Sequence, residues 1–105
     1  MSEGSLGLVA ERFKVLGDPL RLRILQELQP GERSVGEIVE ATGATQANVS
    51  RHLQILLRAR ILARRKDGLH VYYEIADPSV LDLCATVCDS VAAGLSRDLS
   101  TFKRR

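Results

Sequence analysis

Long apolar runs, internal repeats, low-complexity linkers and a cysteine framework are all missing from this 105-residue sequence. No apolar run approaches the roughly 20 residues that span a bilayer, so no membrane partner is expected. The first residues, MSEGSLGLVAERF, lack the basic-then-apolar order of a signal peptide, and the expected compartment is the cytoplasm. Two cysteines in a reducing compartment do not make a disulfide scaffold. The eight glycines are scattered at turns and build no phosphate-cradling loop. The chain offers neither a nucleophile with a base nor paired acids in a cleft, so an enzyme is not expected.

What is present is a globular composition, 45% hydrophobic and 27% charged, in a chain too short to feed two cores. A single domain over residues 1–105 is expected. Fifteen Lys and Arg against thirteen Asp and Glu give a formal net charge of +2, which by itself does not suggest a nucleic-acid partner.

Apolar spacing predicts a mostly α fold with a β-hairpin wing and about five helices. Residues 1–4 are small and polar, and fraying is expected there. Leu6, Val9, Phe13 and Leu16 recur at helical spacing over residues 5–16, and Gly17 can end the helix as its C′ residue. Asp18-Pro19 starts a second helix as N-cap and first residue, with an apolar stripe of Leu22, Leu25 and Leu28 beside Ile24. Ser34 and Glu37 form a capping box for a third helix. After the Gly43-Ala44-Thr45 break, a fourth helix is expected from Gln46 to about Ala59, burying Val49, Leu53, Leu56 and Leu57. Residues 61–66 and 69–75 flank Asp67-Gly68, a hairpin signal, with Leu69, Val71, Tyr73 and Ile75 as the half-buried alternation. A final helix over residues 78–102 is broadly apolar at Leu81, Val87, Val91 and Leu95, and so needs a partner.

Helix, short glycine-containing break, helix and hairpin is the order of a winged helix-turn-helix, here residues 35–59 with the wing at 61–75. The fourth helix is the candidate reader. Gln46, Ala47, Ser50, Arg51 and Gln54 lie opposite its apolar face, with an amide suited to adenine and an arginine suited to guanine. Asn48 and His52 lie at the margins, within expected reach of phosphate. Arg64, Arg65 and Lys66, with His70 on the polar edge of the hairpin, suit contact with the DNA backbone or minor groove. Tyr72 and Tyr73 read as strand packing rather than base stacking. His52 and His70 have no ligand-spaced partner and read as DNA-facing polar groups.

Leu16-Gly17-Asp18-Pro19-Leu20-Arg21-Leu22-Arg23-Ile24-Leu25 resembles the second-helix signature of the ArsR/SmtB family. Val49-Ser50-Arg51-His52-Leu53 is similar to that family's recognition-helix core, and Asp67-Gly68 through Val71-Tyr72-Tyr73 to its wing. The resemblance covers roughly residues 8–95. It implies a homodimeric bacterial repressor that dimerises through its first and last helices, reads an inverted repeat in double-stranded DNA, and loses affinity when an inducer binds. It also implies DNA contacts at Gln46, Ala47, Ser50 and Arg51.

The family's inducer sites are matched only in fragments. The segment Ser34-Val35-Gly36-Glu37-Ile38-Val39-Glu40 has no Cys-x-Cys, and the fourth helix has no cysteine. For the zinc site of the final helix Asp77 matches, but Ser79, Ser90 and Ala93 stand at the other positions. Cys84 and Cys88 remain, one helical turn apart and able to chelate a soft ion together. Two thiols per subunit suit an organoarsenical or other As(III) species, a Zn- or Cd-like ion across the dimer, or a reactive-sulfur or redox signal. Asp82 and Asp89 nearby are expected to raise the thiol pKa values. Two further readings stay open: a regulator without an inducer site, whose cysteines are core residues, and a winged-helix protein-docking module.

The distribution of charge changes the meaning of +2. Residues 41–66 hold Arg51, Arg58, Arg60, Arg64, Arg65 and Lys66 and no acid, whereas the remainder carries nine basic against thirteen acidic residues, or −4. A cationic reading head on an acidic body would orient DNA to one face.

Overall fold

The computed structural model describes the backbone over residues 1–103 and side chains to Leu99. Five helices, α1 (Glu3–Leu16), α2 (Pro19–Leu28), α3 (Val35–Thr42), α4 (Gln46–Arg58) and α5 (Ser79–Lys103), accompany a small sheet that packs against α2, α3 and α4. Its strands are β1 (Arg33–Ser34), β2 (Leu62–Asp67) and β3 (His70–Ile75), all antiparallel, in the order β1-β3-β2. This is the winged helix-turn-helix architecture expected from the spacing.

Local capping chemistry explains most helix starts. The Asp18 carboxylate accepts from the N–H groups of Leu20 and Arg21, satisfying two of the four orphan donors of α2, and Pro19 follows where no N–H is needed. Ser34 and Glu37 cap each other's backbone at α3. Gly43 ends α3 at φ 72°, a left-handed conformation open to glycine, and Thr45 caps α4 two residues on. The same chemistry corrects the N-terminus: Ser2 caps α1, which starts at Glu3 within the segment expected to fray. Gly17 ends α1 as expected, at φ −81° and with its N–H donating to the Lys14 carbonyl, directly before the Asp18 cap.

The hairpin departs from expectation by one register step. Asp67 pairs with His70, so the turn is centred on Gly68 and Leu69 rather than on Asp67 and Gly68. Gly68 supplies the positive φ of 62°, and Leu69 is fully exposed at the tip instead of opening a half-buried alternation. Two-residue β1 was not foreseen because it is too short to show a period. It pairs Arg33 with Tyr73 and Ser34 with Tyr72, which makes β3 the central strand.

Ile24, Leu25 and Leu28 of α2, Ile38 of α3, Val49, Leu53 and Leu56 of α4, Ile61, Leu62 and Tyr73 form one core. Leu22 was expected in this stripe but is 42% exposed, because Ile24 takes the inward position; Leu57 is only half-buried. By contrast, Leu6, Val9 and Phe13 of α1 and Val87, Val91, Leu95 and Leu99 of α5 form exposed apolar stripes. The segment from Ser79 to Leu99 is, by length and composition, apolar enough to cross a membrane. It is not a continuous apolar run, because Asp82 and Asp89 interrupt it, while alanine, valine, leucine and cysteine keep the mean hydropathy high. Carboxylates on such a helix are expensive in hydrocarbon.

Among the described residues, His52 is the single buried polar side chain of the core, 5% exposed. Burial holds its pKa below the ordinary histidine value, overriding the nearby Asp18 carboxylate, while Arg51 and Arg21 push the same way as burial. A folded pKa below the unfolded one gives stability that is complete above the unfolded pKa, near 6.5, and is lost as pH falls through that value. Urea unfolding at fixed protein concentration is therefore expected to show wild-type stability falling between pH 7.5 and 5. The fall is expected to be smaller in His52→Asn; equal slopes would contradict it.

Candidate nucleic-acid interface

Helix α4 is divided by its periodicity into a face that holds the core and a face that meets solvent. Val49, Leu53 and Leu56 are fully buried, and Gln46, Ala47, Asn48, Arg51 and Gln54 are exposed on the other side. Ser50 is half-buried at the border. Of the seven α4 positions whose sequence suggests DNA contact, the fold leaves six accessible. His52 is the exception and is corrected here: it turns into the core, so it is no phosphate contact.

His52 instead joins two helices. Its Nδ1 lies 3.1 Å from Arg21 Nη1 and 3.9 Å from the Asp18 carboxylate, and its Nε2 lies 3.3 Å from Arg51 Nη2. Arg21 also donates through Nε to the Val15 carbonyl at the end of α1. Asp18 is held below the usual carboxylate range, chiefly by the Arg21 backbone N–H. The histidine therefore does have a carboxylate neighbour, brought from 34 positions away by the fold. Arg21 and Asp18 were legible as a helix cap but not as partners of α4.

The wing cations are separated by strand alternation. Leu62, Arg64 and Lys66 share one face of β2, whereas Arg65 lies with Tyr72 and His70 on the other. Arg65 is already engaged. It makes a two-pronged contact with Glu32 at 2.6 and 3.1 Å, approaches Asp67 at 3.6 Å, and stacks 5.0 Å from the Tyr72 ring centre. Glu32 raises the Arg65 pKa and Arg65 lowers that of Glu32, so the pair is a neutralised strap between the β1 approach and the wing. Its expected role as a free backbone contact is corrected accordingly. Arg64 and Lys66 are exposed and in no ion pair among the described residues, as are Arg58 and Arg60 near the end of α4. His70 is exposed, with its ring 6.2 Å from that of Tyr72.

The cysteines lie away from this surface. Cys84 and Cys88 share a cavity of about 610 Å³ with Phe13 and Leu16 of α1 and with Leu22 and Leu25 of α2. Cys84 is half-buried and Cys88 exposed, so neither is a fully buried core thiol. Burial raises the Cys84 pKa; Asp82 and Asp89, the cause expected from sequence, contribute nothing to it. No group of three or more metal-binding side chains exists among the described residues. Asp77 is occupied: it accepts from the backbone and hydroxyl of Ser79 and faces Arg12 at 3.5 Å.

Comparison with known proteins agrees with this geometry. Residues 18–64 match the family described as bacterial regulatory protein, arsR family. The chain is 41% identical over 96 residues to Rv0081, an uncharacterised HTH-type transcriptional regulator of Mycobacterium tuberculosis, covering 90% of this chain and 84% of that one. Its crystal structure superposes with a TM-score of 0.82 at 39% identity, covering 93% of this chain and 99% of the other. The homodimeric winged helix-turn-helix DNA-binding domain of Mb0332 from Mycobacterium bovis gives a TM-score of 0.80 at 34% identity, covering 92% and 93%. A probable mercury resistance operon repressor of Streptomyces lividans is 42% identical over 74 residues, 70% of this chain and 59% of its own length.

The exposed Arg51 guanidinium carries the sharpest prediction. Arg51→Ala is expected to cost about 1–3 kcal/mol on a preferred duplex and much less on a scrambled one, measured by fluorescence anisotropy. Equal losses on both would remove it from base reading.

Proposed function

The chain belongs to the ArsR family of DNA-binding transcriptional regulators, which are not enzymes, and from that premise we propose that it is a cytoplasmic homodimeric repressor with a thiol-based inducer site. In this reading it binds an inverted-repeat operator and is released when a soft electrophile engages Cys84 and Cys88. The observation that carries the DNA half is the acid-free, exposed face of α4 set beside a wing whose Arg64 and Lys66 are in no ion pair among the described residues. Gln46, Ala47, Ser50 and Arg51 read base edges in the major groove, while Asn48 and Gln54 lie at hand for the backbone.

The exposed stripes of α1 and α5 supply the dimer. Leu6, Val9 and Phe13 with Val87, Val91 and Leu95 are too extensive to be left in water, and a second copy covers them by two-fold symmetry. Such a dimer presents two α4 helices about one turn of DNA apart, roughly 34 Å. The homodimeric Mb0332 domain supports this assembly.

For the inducer, the support is the placement of two thiols one turn apart on a cavity wall shared by both dimerisation helices and α2. A ligand bridging them would alter the packing of α5 on α1 and α2, and with it the spacing of the two readers. A monosubstituted arsenical needs two sulfurs and fits one subunit; Zn or Cd would need ligands from both. The mercury-resistance relative supports a soft ion. The raised Cys84 pKa favours the competing reading, in which the cysteines only pack.

Operator affinity of the reduced protein should be measured with and without phenylarsenite, Cd, Zn and persulfide. At least one is expected to weaken wild-type binding about tenfold or more, within the usual range of allosteric coupling. Cys84→Ser/Cys88→Ser is expected to be insensitive to that agent. Release of the double variant by the same agent would sink the cysteine site.

A further inference from the structure

We infer that His52 is a positioning residue for Arg51, its Nε2 lone pair holding the guanidinium in the pose that meets a base. The inference rests on the reading of Arg51 as a base contact. His52 lies between two guanidinium groups, Arg21 at Nδ1 and Arg51 at Nε2, at 3.1 and 3.3 Å. A guanidinium only donates, and a neutral imidazole has one N–H and one lone pair. The ring can accept from Arg21 or from Arg51, but never from both. Burial disfavours the imidazolium, which would accept from neither.

The nitrogen that carries the proton decides which arginine is held. The Asp18 carboxylate, 3.9 Å from Nδ1, favours a proton there, and this leaves Nε2 to accept from Arg51. Arg21, 3.1 Å from Nδ1, pulls the other way; in this tautomer its Nη1 turns away from the ring, and the side chain stays anchored through Nε on the Val15 carbonyl. Asp18 is itself fixed by capping α2 through the Leu20 and Arg21 N–H groups. The corner between α1 and α2 thus sets the tautomer of a buried ring, and the tautomer sets the arginine on the outer face of α4. Arg51 loses no reading capacity by this contact. Its guanidinium has five N–H donors, so Nη2 can stay on His52 with one hydrogen while the remaining donors address guanine O6 and N7.

Asparagine and glutamine separate the two nitrogens. His52→Asn keeps a polar group near the Nδ1 position and loses the Nε2 acceptor, and His52→Gln does the reverse. The probes are the tightest duplex that the wild-type protein selects from a random-sequence pool, and a scrambled duplex of the same composition. His52→Gln is expected to keep the selected-to-scrambled affinity ratio within about twofold, and His52→Asn to lower it about five- to tenfold, the scale of one hydrogen bond. Equal ratios for the two variants overturn the inference. Nitrogen-15 spectra of the wild-type imidazole give a readout that needs no variant. In the complex with the selected duplex, Nδ1 is expected to be protonated and Nε2 to be the acceptor; an unprotonated Nδ1 there overturns it. If Arg51→Ala lowers the ratio while the Asn and Gln variants match, only the positioning role falls. If Arg51→Ala weakens both duplexes alike, the base contact falls and the positioning role with it.

Discussion

The fold depends on a single constraint, that α4 be anchored hard on one face so that the other can be offered to solvent. Val49, Leu53 and Leu56 have no exposed surface, and they meet Ile24, Leu25 and Leu28 of α2 and Ile38 of α3. Burial of each such side chain is worth about 1.5–3 kcal/mol. A reading helix without this anchor would present Arg51 and Gln46 at no fixed angle. The remaining elements brace it: α3 through a three-residue break, the wing through β2, and α2 through the polar contact at His52.

The two halves of the molecule have opposite surface chemistry for the same reason. Residues that face the DNA side are cationic or amide-bearing, whereas α1 and α5 expose valine, leucine and phenylalanine. Arg65 shows that a count of cations overstates the charge available to DNA, because Glu32 and Asp67 already neutralise it and hold the wing in place. The cavity shared by α1, α2 and α5 is lined by Cys84 and Cys88, both on α5, one of the two helices with an exposed apolar stripe.

Much of this was legible in the chain because it is governed by local rules. Asp18-Pro19, Ser34 with Glu37, Gly43 and Thr45 each solve a problem of unsatisfied backbone groups within four residues, and the 3.6-residue period of α4 separates its two faces. What escaped were contacts made across the fold. His52 stands at the margin of the α4 stripe, and its burial depends on α2, which brings Asp18 and Arg21 to the ring from more than 30 positions away. The Arg65 strap depends on Glu32, 33 positions earlier. The turn register was off by one because Asp-Gly is a strong signal for turn centre, while here the Asp67–His70 pairing extends the ladder by one rung. Cysteine exposure was equally a tertiary property, since an i, i+4 pair on an apolar stripe looks the same whether the stripe faces a core or a cavity.

The central claim is that the cationic head formed by α4 and the wing grips DNA phosphates, and the salt dependence of DNA binding tests it most directly. Arg64 and Lys66 from two subunits alone give four phosphate contacts, so the slope of log affinity against log salt concentration is expected to be about −3.6 or steeper. A slope near zero would contradict the account.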